Sequence, residues 1–123
     1  MERSVKSGST DPNTRALINA LRKTSTKHNV GIWKRVAELI ARPARQRATV
    51  NIGKIGRHTS TGDIIVIPGK VLGSGSLSHK VTVAALNAST SARTVIVGAG
   101  GSLISINELL TKSPKGKGVT III

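Results

Sequence analysis

Three observations predict an α/β fold. Short β-branched runs, Ile64 to Ile67, Val81 to Val83 and Val119 to Ile123, have the length and composition of strands. Between them lie segments whose apolar residues recur at helical spacing, as in Trp33, Val36, Ala37 and Ile40. Finally, Val50-Asn-Ile-Gly-Lys-Ile-Gly56 recurs loosely as Val66-Ile-Pro-Gly-Lys-Val-Leu-Gly73. This faint internal repeat of strand, Gly-Lys, apolar residue and glycine suggests stacked small units with a Gly-Lys corner at each turn.

Taken in order, Met1 to Thr10 offers only Val5 to bury, among Ser, Gly, Thr, Arg3 and Lys6, and is expected to be a disordered basic arm. Asp11 has the chemistry of an N-cap and Pro12 suits the first helical position; the stripe Leu17, Ala20, Leu21 runs out near Lys23 and Thr24, with Arg15, Arg22 and Lys23 around it. A second helix is expected from about Gly31 to Ala41, with Trp33 in the core and Pro43 ending it. Arg42-Pro-Ala-Arg45-Gln-Arg47 follows as a stiff linker, and Ala48 to Ile52 alternates as a strand ending at Gly53-Lys54-Ile55-Gly56-Arg57-His58.

The stretch from Asp63 to Leu86 organises the chain. Its two β-branched runs bracket Pro68, Gly69, Gly73 and Gly75, which reads as strand, irregular turn, strand. With Lys70, His79 and Lys80 on its flanks, such a loop can accept phosphate, although a sharp corner in a buried sheet needs the same glycines. Beyond Leu86, Asn87 to Ser91 is a loop that can cap a helix. Ala92 to Val97 is ambiguous, because Val95, Ile96 and Val97 favour strand by propensity. Ser105-Ile-Asn-Glu108 has capping-box spacing for a short helix stopped before Pro114, and Lys115-Gly-Lys117-Gly118 is a basic turn into the final strand.

A chain of 123 residues is expected to form one domain, from 11 to 123, behind the arm at 1 to 10. Its core is aliphatic, since Trp33 is the sole aromatic residue, so stacking on exposed bases is nearly excluded as a binding mode. Nineteen Lys and Arg against five Asp and Glu give +14, which calls for a polyanionic partner. Residues 1 to 58 hold 13 basic and 3 acidic side chains, and residues 59 to 123 hold 6 and 2, so the first half is expected to face the polyanion. Arg42, Arg45 and Arg47 carry forked donors suited to phosphate, with no acid nearby in sequence.

Other functions find little support. No apolar run approaches a membrane span, and no cysteine is present for disulfides or thiolate metal sites. His28, His58 and His79 stand far apart without a second ligand at metal spacing. Thr94-Val-Ile-Val-Gly98-Ala-Gly100-Gly101 mimics a dinucleotide-binding turn, but Leu103 stands where the third glycine belongs and no acid follows at the required distance. No Walker sequence or nucleophile elbow is present. No cofactor, small-molecule substrate, membrane or obligate homo-oligomer is expected, and the chain is not expected to be an enzyme.

At Pro68-Gly-Lys-Val-Leu-Gly-Ser-Gly-Ser-Leu, followed by Val81-Thr-Val-Ala-Ala, the sequence closely resembles the archaeal and eukaryotic large-subunit ribosomal protein eighteen-e family, relatives of bacterial large-subunit protein fifteen. Supporting matches are Trp33, the arginine segment leading to Val50-Asn-Ile-Gly-Lys-Ile, Ser91-Ala92 to Gly100-Gly101, Ser105 to Leu110 and the closing Gly-Val-Thr-Ile. The resemblance implies an irregular superhelix of strand-strand-helix units behind two N-terminal helices, and a helix at Ala92 to Val97. It also implies a cytoplasmic, ribosome-bound protein of translation that binds and stabilises large-subunit ribosomal RNA beside neighbouring ribosomal proteins. A free-standing RNA- or DNA-binding protein of the same fold is the alternative, with a small nucleotide-binding enzyme further off.

Charge and loop context then select the candidate RNA-binding residues. They are Arg3, Lys6, Lys34, Arg35, Arg42, Arg45, Arg47, Lys54, Arg57, His58, Lys70, His79, Lys80, Lys115 and Lys117.

Overall fold

The structure, a computed structural model, describes residues 12–123. The arm from Met1 to Thr10, with Arg3 and Lys6, and the Asp11 cap lie outside the described residues. In chain order the elements are α1 (Pro12–His28), α2 (Gly31–Ile40), a 3-10 turn (Ala44–Gln46), β1 (Ala48–Asn51), α3 (Ile52–His58) and β2 (Ile64–Leu72). They continue with β3 (Thr82–Ala88), α4 (Thr90–Gly98), β4 (Ser102–Ser105), α5 (Ile106–Lys112) and β5 (Val119–Ile121).

All five strands are parallel, in the order β1-β2-β3-β4, with β5 also on β2. β2 is the spine. One side pairs with β3, while the other takes β5 at Ile64 to Val66 and β1 at Gly69 to Leu72. A parallel sheet needs cover on both faces, and β2 is accordingly apolar on both. Ile65, Ile67, Val83 and Ala85 face a core completed by Ile52 and Ile55 of α3 and Ala92 and Ile96 of α4. Val66 and Ala84 face the opposite core, with Leu17, Ile18 and Leu21 of α1, Trp33, Val36 and Ile40 of α2, and Leu109 of α5. The α/β class and the two N-terminal helices are as expected, and the strand–strand–helix succession is seen in β2–β3–α4.

Several local expectations need correction. Pro68 and Gly69 do not break the strand: β2 runs through them, and its register against β3 slips between Ile67 and Lys70. Pro68 falls between the stretches that pair with β5 and β1, where its missing N–H leaves no gap in either ladder. The irregular segment begins only at Gly73. Nor are the two Gly-Lys pairs equivalent corners. Gly53 and Lys54 lie in the first turn of α3, where the Asn51 side chain accepts from the Lys54 N–H at 2.9 Å, whereas Gly69 and Lys70 are strand residues paired with Ala48 and Thr49.

Helix α1 outlasts its apolar stripe by a full turn because its end is chemically closed. Asn29 takes φ +54, Asn29 N–H donates to Thr26 O at 3.4 Å and Val30 N–H to Ser25 O at 3.1 Å, the Schellman pattern. Ala92 to Val97 is helical despite its β-branched residues. Ser89 Oγ caps it by accepting from Ala92 N–H, and adjacent parallel strands β3 and β4 require such a crossover. The short strand β4 has no strong signal in sequence. The capping box at Ser105 is half made: Ser105 Oγ accepts from Glu108 N–H at 3.1 Å, while the Glu108 carboxylate turns forward to Lys112 at 3.4 Å.

Candidate nucleic-acid interface

The arginine segment leaves α2 and enters β1. Its 3-10 turn is closed by Gln46 N–H to Pro43 O at 2.8 Å and Arg47 N–H to Ala44 O at 3.2 Å. Arg47 is half-buried and its Nε donates to the carbonyl oxygen of Ile40 at 2.9 Å, satisfying one of the groups left open at the end of α2. Arg42 and Arg45 are exposed. Two residues on, the register sets Thr49 beside Lys70 and Lys70 beside Asn87, a row of exposed residues across three strands. Val50 and Val71, next in line, turn to the opposite face and are buried. The pairing thus sets Lys70, on the central strand, beside Thr49, two residues beyond the end of the arginine segment.

Closeness of backbones builds this pairing. A β-carbon on Gly69 would meet the Ala48 carbonyl oxygen at 1.9 Å. The glycines after it serve the fold too. Gly53 N–H, in the first turn of α3, donates to Ser74 O at 3.0 Å, and Gly75 at φ +101 has room for no β-carbon against Gly53 N. Gly75, considered for a phosphate-accepting loop, thus serves a close backbone approach to α3, and Lys70 stands apart from it on the strand.

A second basic group lies where the strands begin. Helix α3 runs back from the end of β1 and ends at Arg57 and His58, both exposed. Thr59 Oγ1 bonds the Ile55 carbonyl oxygen at 2.7 Å and His79 Nε2 at 2.8 Å. A hydroxyl has one proton to give, and the carbonyl takes it, so His79 Nε2 is the donor to Thr59 and carries hydrogen. Lys80 follows, exposed beside a recess of about 330 Å³ lined by Gly62, Val81, Thr82, Gly100, Gly101 and Ser102. Lys115 and Lys117, exposed, lie just before β5, which pairs with the start of β2.

The remaining candidates are dispersed. Lys54 donates through Nζ to the main-chain oxygen of Ile123. Lys34 borders a groove of about 300 Å³ with Arg22, Ser25, Thr26 and Glu38, and Arg35 pairs with Glu38 at 3.6 Å on an exposed surface. The candidates drawn from charge and loop context omit the cations of α1. Arg15, Arg22, Lys23 and Lys27 are exposed on the arc opposite Leu17, Ile18 and Leu21, in a helix without a carboxylate. That helical spacing is their signal in the sequence. Among the described residues, no carboxylate lies within ion-pair distance of Arg42, Arg45, Lys70 or Lys80, and no His/Cys/Asp/Glu group could hold a metal. No described helix is long and apolar enough to cross a membrane.

The profile of a family described as ribosomal protein 60S L18 and 50S L18e matches residues 2–123. The large ribosomal subunit protein eL18 of Methanococcus maripaludis is 49% identical over 113 residues, covering 92% of this chain and 94% of its own. Its namesake in Pyrobaculum aerophilum is 42% identical over 116 residues, covering 94% and 95%. That of Methanothermobacter thermautotrophicus is 45% identical over 113 residues, covering 92% and 93%.

Proposed function

Because this chain belongs to the family of ribosomal proteins 60S L18 and 50S L18e, we propose that it binds and stabilises folded large-subunit ribosomal RNA, chiefly through phosphate contacts. The family is one of ribosomal structural proteins of the large subunit, and the chain is accordingly not an enzyme. In this reading residues 11 to 123 act as one domain behind the arm at 1 to 10, beside neighbouring proteins of the cytoplasmic ribosome.

The observation that carries it is the start of β1, where the exposed Arg42 and Arg45 lead into a strand whose register sets Thr49 beside the exposed Lys70, with no carboxylate among the described residues within ion-pair distance of any of the three cations. Forked guanidinium groups and an ammonium on a rigid strand suit adjacent phosphates. A chain of net charge +14 with one buried aromatic residue has electrostatics as its main source of affinity.

Binding to an RNA duplex at a series of salt concentrations tests this. If about six phosphates are neutralised, log K falls with log salt at a slope near −5. A slope flatter than about −2 overturns the phosphate-contact mechanism. Co-sedimentation with large subunits through a high-salt cushion supports the ribosomal role, and loss of the protein from the subunits would favour a free-standing RNA- or DNA-binding protein.

A further inference from the structure

Trp33 is fully buried in the core beneath α1 and α2, as its place on the apolar face of α2 requires. Its polar edge, however, reaches across 81 residues of sequence: Nε1 donates to the Pro114 carbonyl oxygen at 2.8 Å. Pro114 opens a turn closed by Gly116 N–H to Ser113 O at 2.9 Å and Val119 N–H to Gly116 O at 3.2 Å. Gly116, at φ +66, lies against the same helix: a β-carbon there would stand 2.6 Å from Ile32 Cγ2 and 3.6 Å from two indole carbons. The α2 surface thus holds the turn at Pro114 and Gly116, while Lys115 and Lys117 are exposed.

This turn, Pro-Lys-Gly-Lys-Gly, has little apolar side chain of its own to offset the entropy of ordering, and two of its residues are glycine. The indole supplies the missing anchor. Lysines held in place before binding lose less freedom on meeting a phosphate backbone than lysines on a loose loop.

We propose that Trp33 is a positioning residue for RNA binding, its indole N–H clamping the 113–118 turn so that Lys115 and Lys117 present together to an RNA backbone. The proposal rests on the RNA-binding reading above. It gives the one aromatic side chain a role that is neither base stacking nor packing alone.

The test uses the full chain and a 20-base-pair RNA duplex, with thermal melting followed in parallel. Lys115→Gln with Lys117→Gln should flatten the salt slope by about two units. Trp33→Phe keeps an aromatic ring in the core and removes the N–H; the half-buried Pro114 carbonyl can then take water, and the turn is released. Gly116→Ala pushes the turn off Ile32 with the indole intact, so the test does not depend on the folding of Trp33→Phe. Each single change should weaken binding by the parent, and neither should weaken it further once both lysines are gone. The inference is overturned if either change is as damaging without the lysines as with them, if both are silent in the parent, or if the lysine pair itself is silent. In each case salt-dependent binding by the parent keeps the RNA reading standing. If the parent shows no salt-dependent binding, that reading fails and the clamp with it.

Discussion

Gly69 and Ala48 touch backbone to backbone: a β-carbon on Gly69 would lie 1.9 Å from the Ala48 carbonyl oxygen and 2.8 Å from its carbonyl carbon. This contact opens the β1–β2 ladder, and neither backbone can yield without breaking it. Gly69→Ala is expected to cost about 3 kcal/mol, the upper end for overpacking a well-filled site. Gly62→Ala makes the comparison, since Gly62 has φ +87 with open space around it; its cost is only the left-handed backbone, about 1 kcal/mol. Urea unfolding of both variants checks the order, and equal midpoints would refute the account.

That contact also marks where the sequence could be read and where it could not. Gly69 stands out as a glycine that something approaches, but the approaching group is 21 positions away in β1, and only the register identifies it. Trp33, Val36 and Ile40 were legible because helical periodicity is local. Pro68 misled because proline opposes a central strand on average; here it falls between two short partners that leave its nitrogen unneeded. Val95 to Val97 leave their segment ambiguous because strand propensity is a weak preference; a serine cap and the demand of two parallel neighbours for a crossover make it the helix that the resemblance implies. At the candidate interface, charge points to the arginine segment, whereas the pairing that sets Lys70 beside Thr49, just beyond it, is one that no local pattern encodes.

Two serines should behave alike. Ser89 Oγ and Ser105 Oγ each accept from a backbone N–H three residues on, at 3.1 Å, at the starts of α4 and α5. Replacing either with alanine is expected to lower stability by about 1 kcal/mol. Glu108→Ala should cost under about 0.5 kcal/mol, because its carboxylate serves an exposed pair with Lys112. Thermal melting at fixed salt measures all three, and a Glu108 effect as large as that of Ser105 would mean the full capping box forms.

The three arginines of the linker divide by role. Arg42→Gln and Arg45→Gln should leave melting unchanged and weaken binding to an RNA duplex, each flattening the salt slope by about one unit. Arg47→Gln should also lower stability, by about 1 kcal/mol, because its Nε holds the Ile40 carbonyl at the end of α2. Melting curves and salt titrations on the same preparations separate the two effects. Identical behaviour of all three in melting would contradict this division.

Lys70 gives the sharpest separation of fold from function. It is exposed on β2 between Thr49 and Asn87, while its neighbours Gly69 and Val71 are buried. Lys70→Gln therefore removes a charge without touching the core, and the unfolding midpoint should stay where it is. Binding to RNA duplex should weaken, and the salt slope should flatten by about one unit, as it does when one phosphate fewer is neutralised. Lys112→Gln is the control: it removes the same charge from α5, where Lys112 already pairs with Glu108. If net charge alone governed binding, the two variants would match. If the β1 edge is the RNA-facing surface, only Lys70→Gln shifts the slope, and the Arg42 and Arg45 variants combined with it should flatten the slope further, by about one unit for each cation removed. Equal slopes for Lys70→Gln, Lys112→Gln and the parent would remove the β1 edge from the interface.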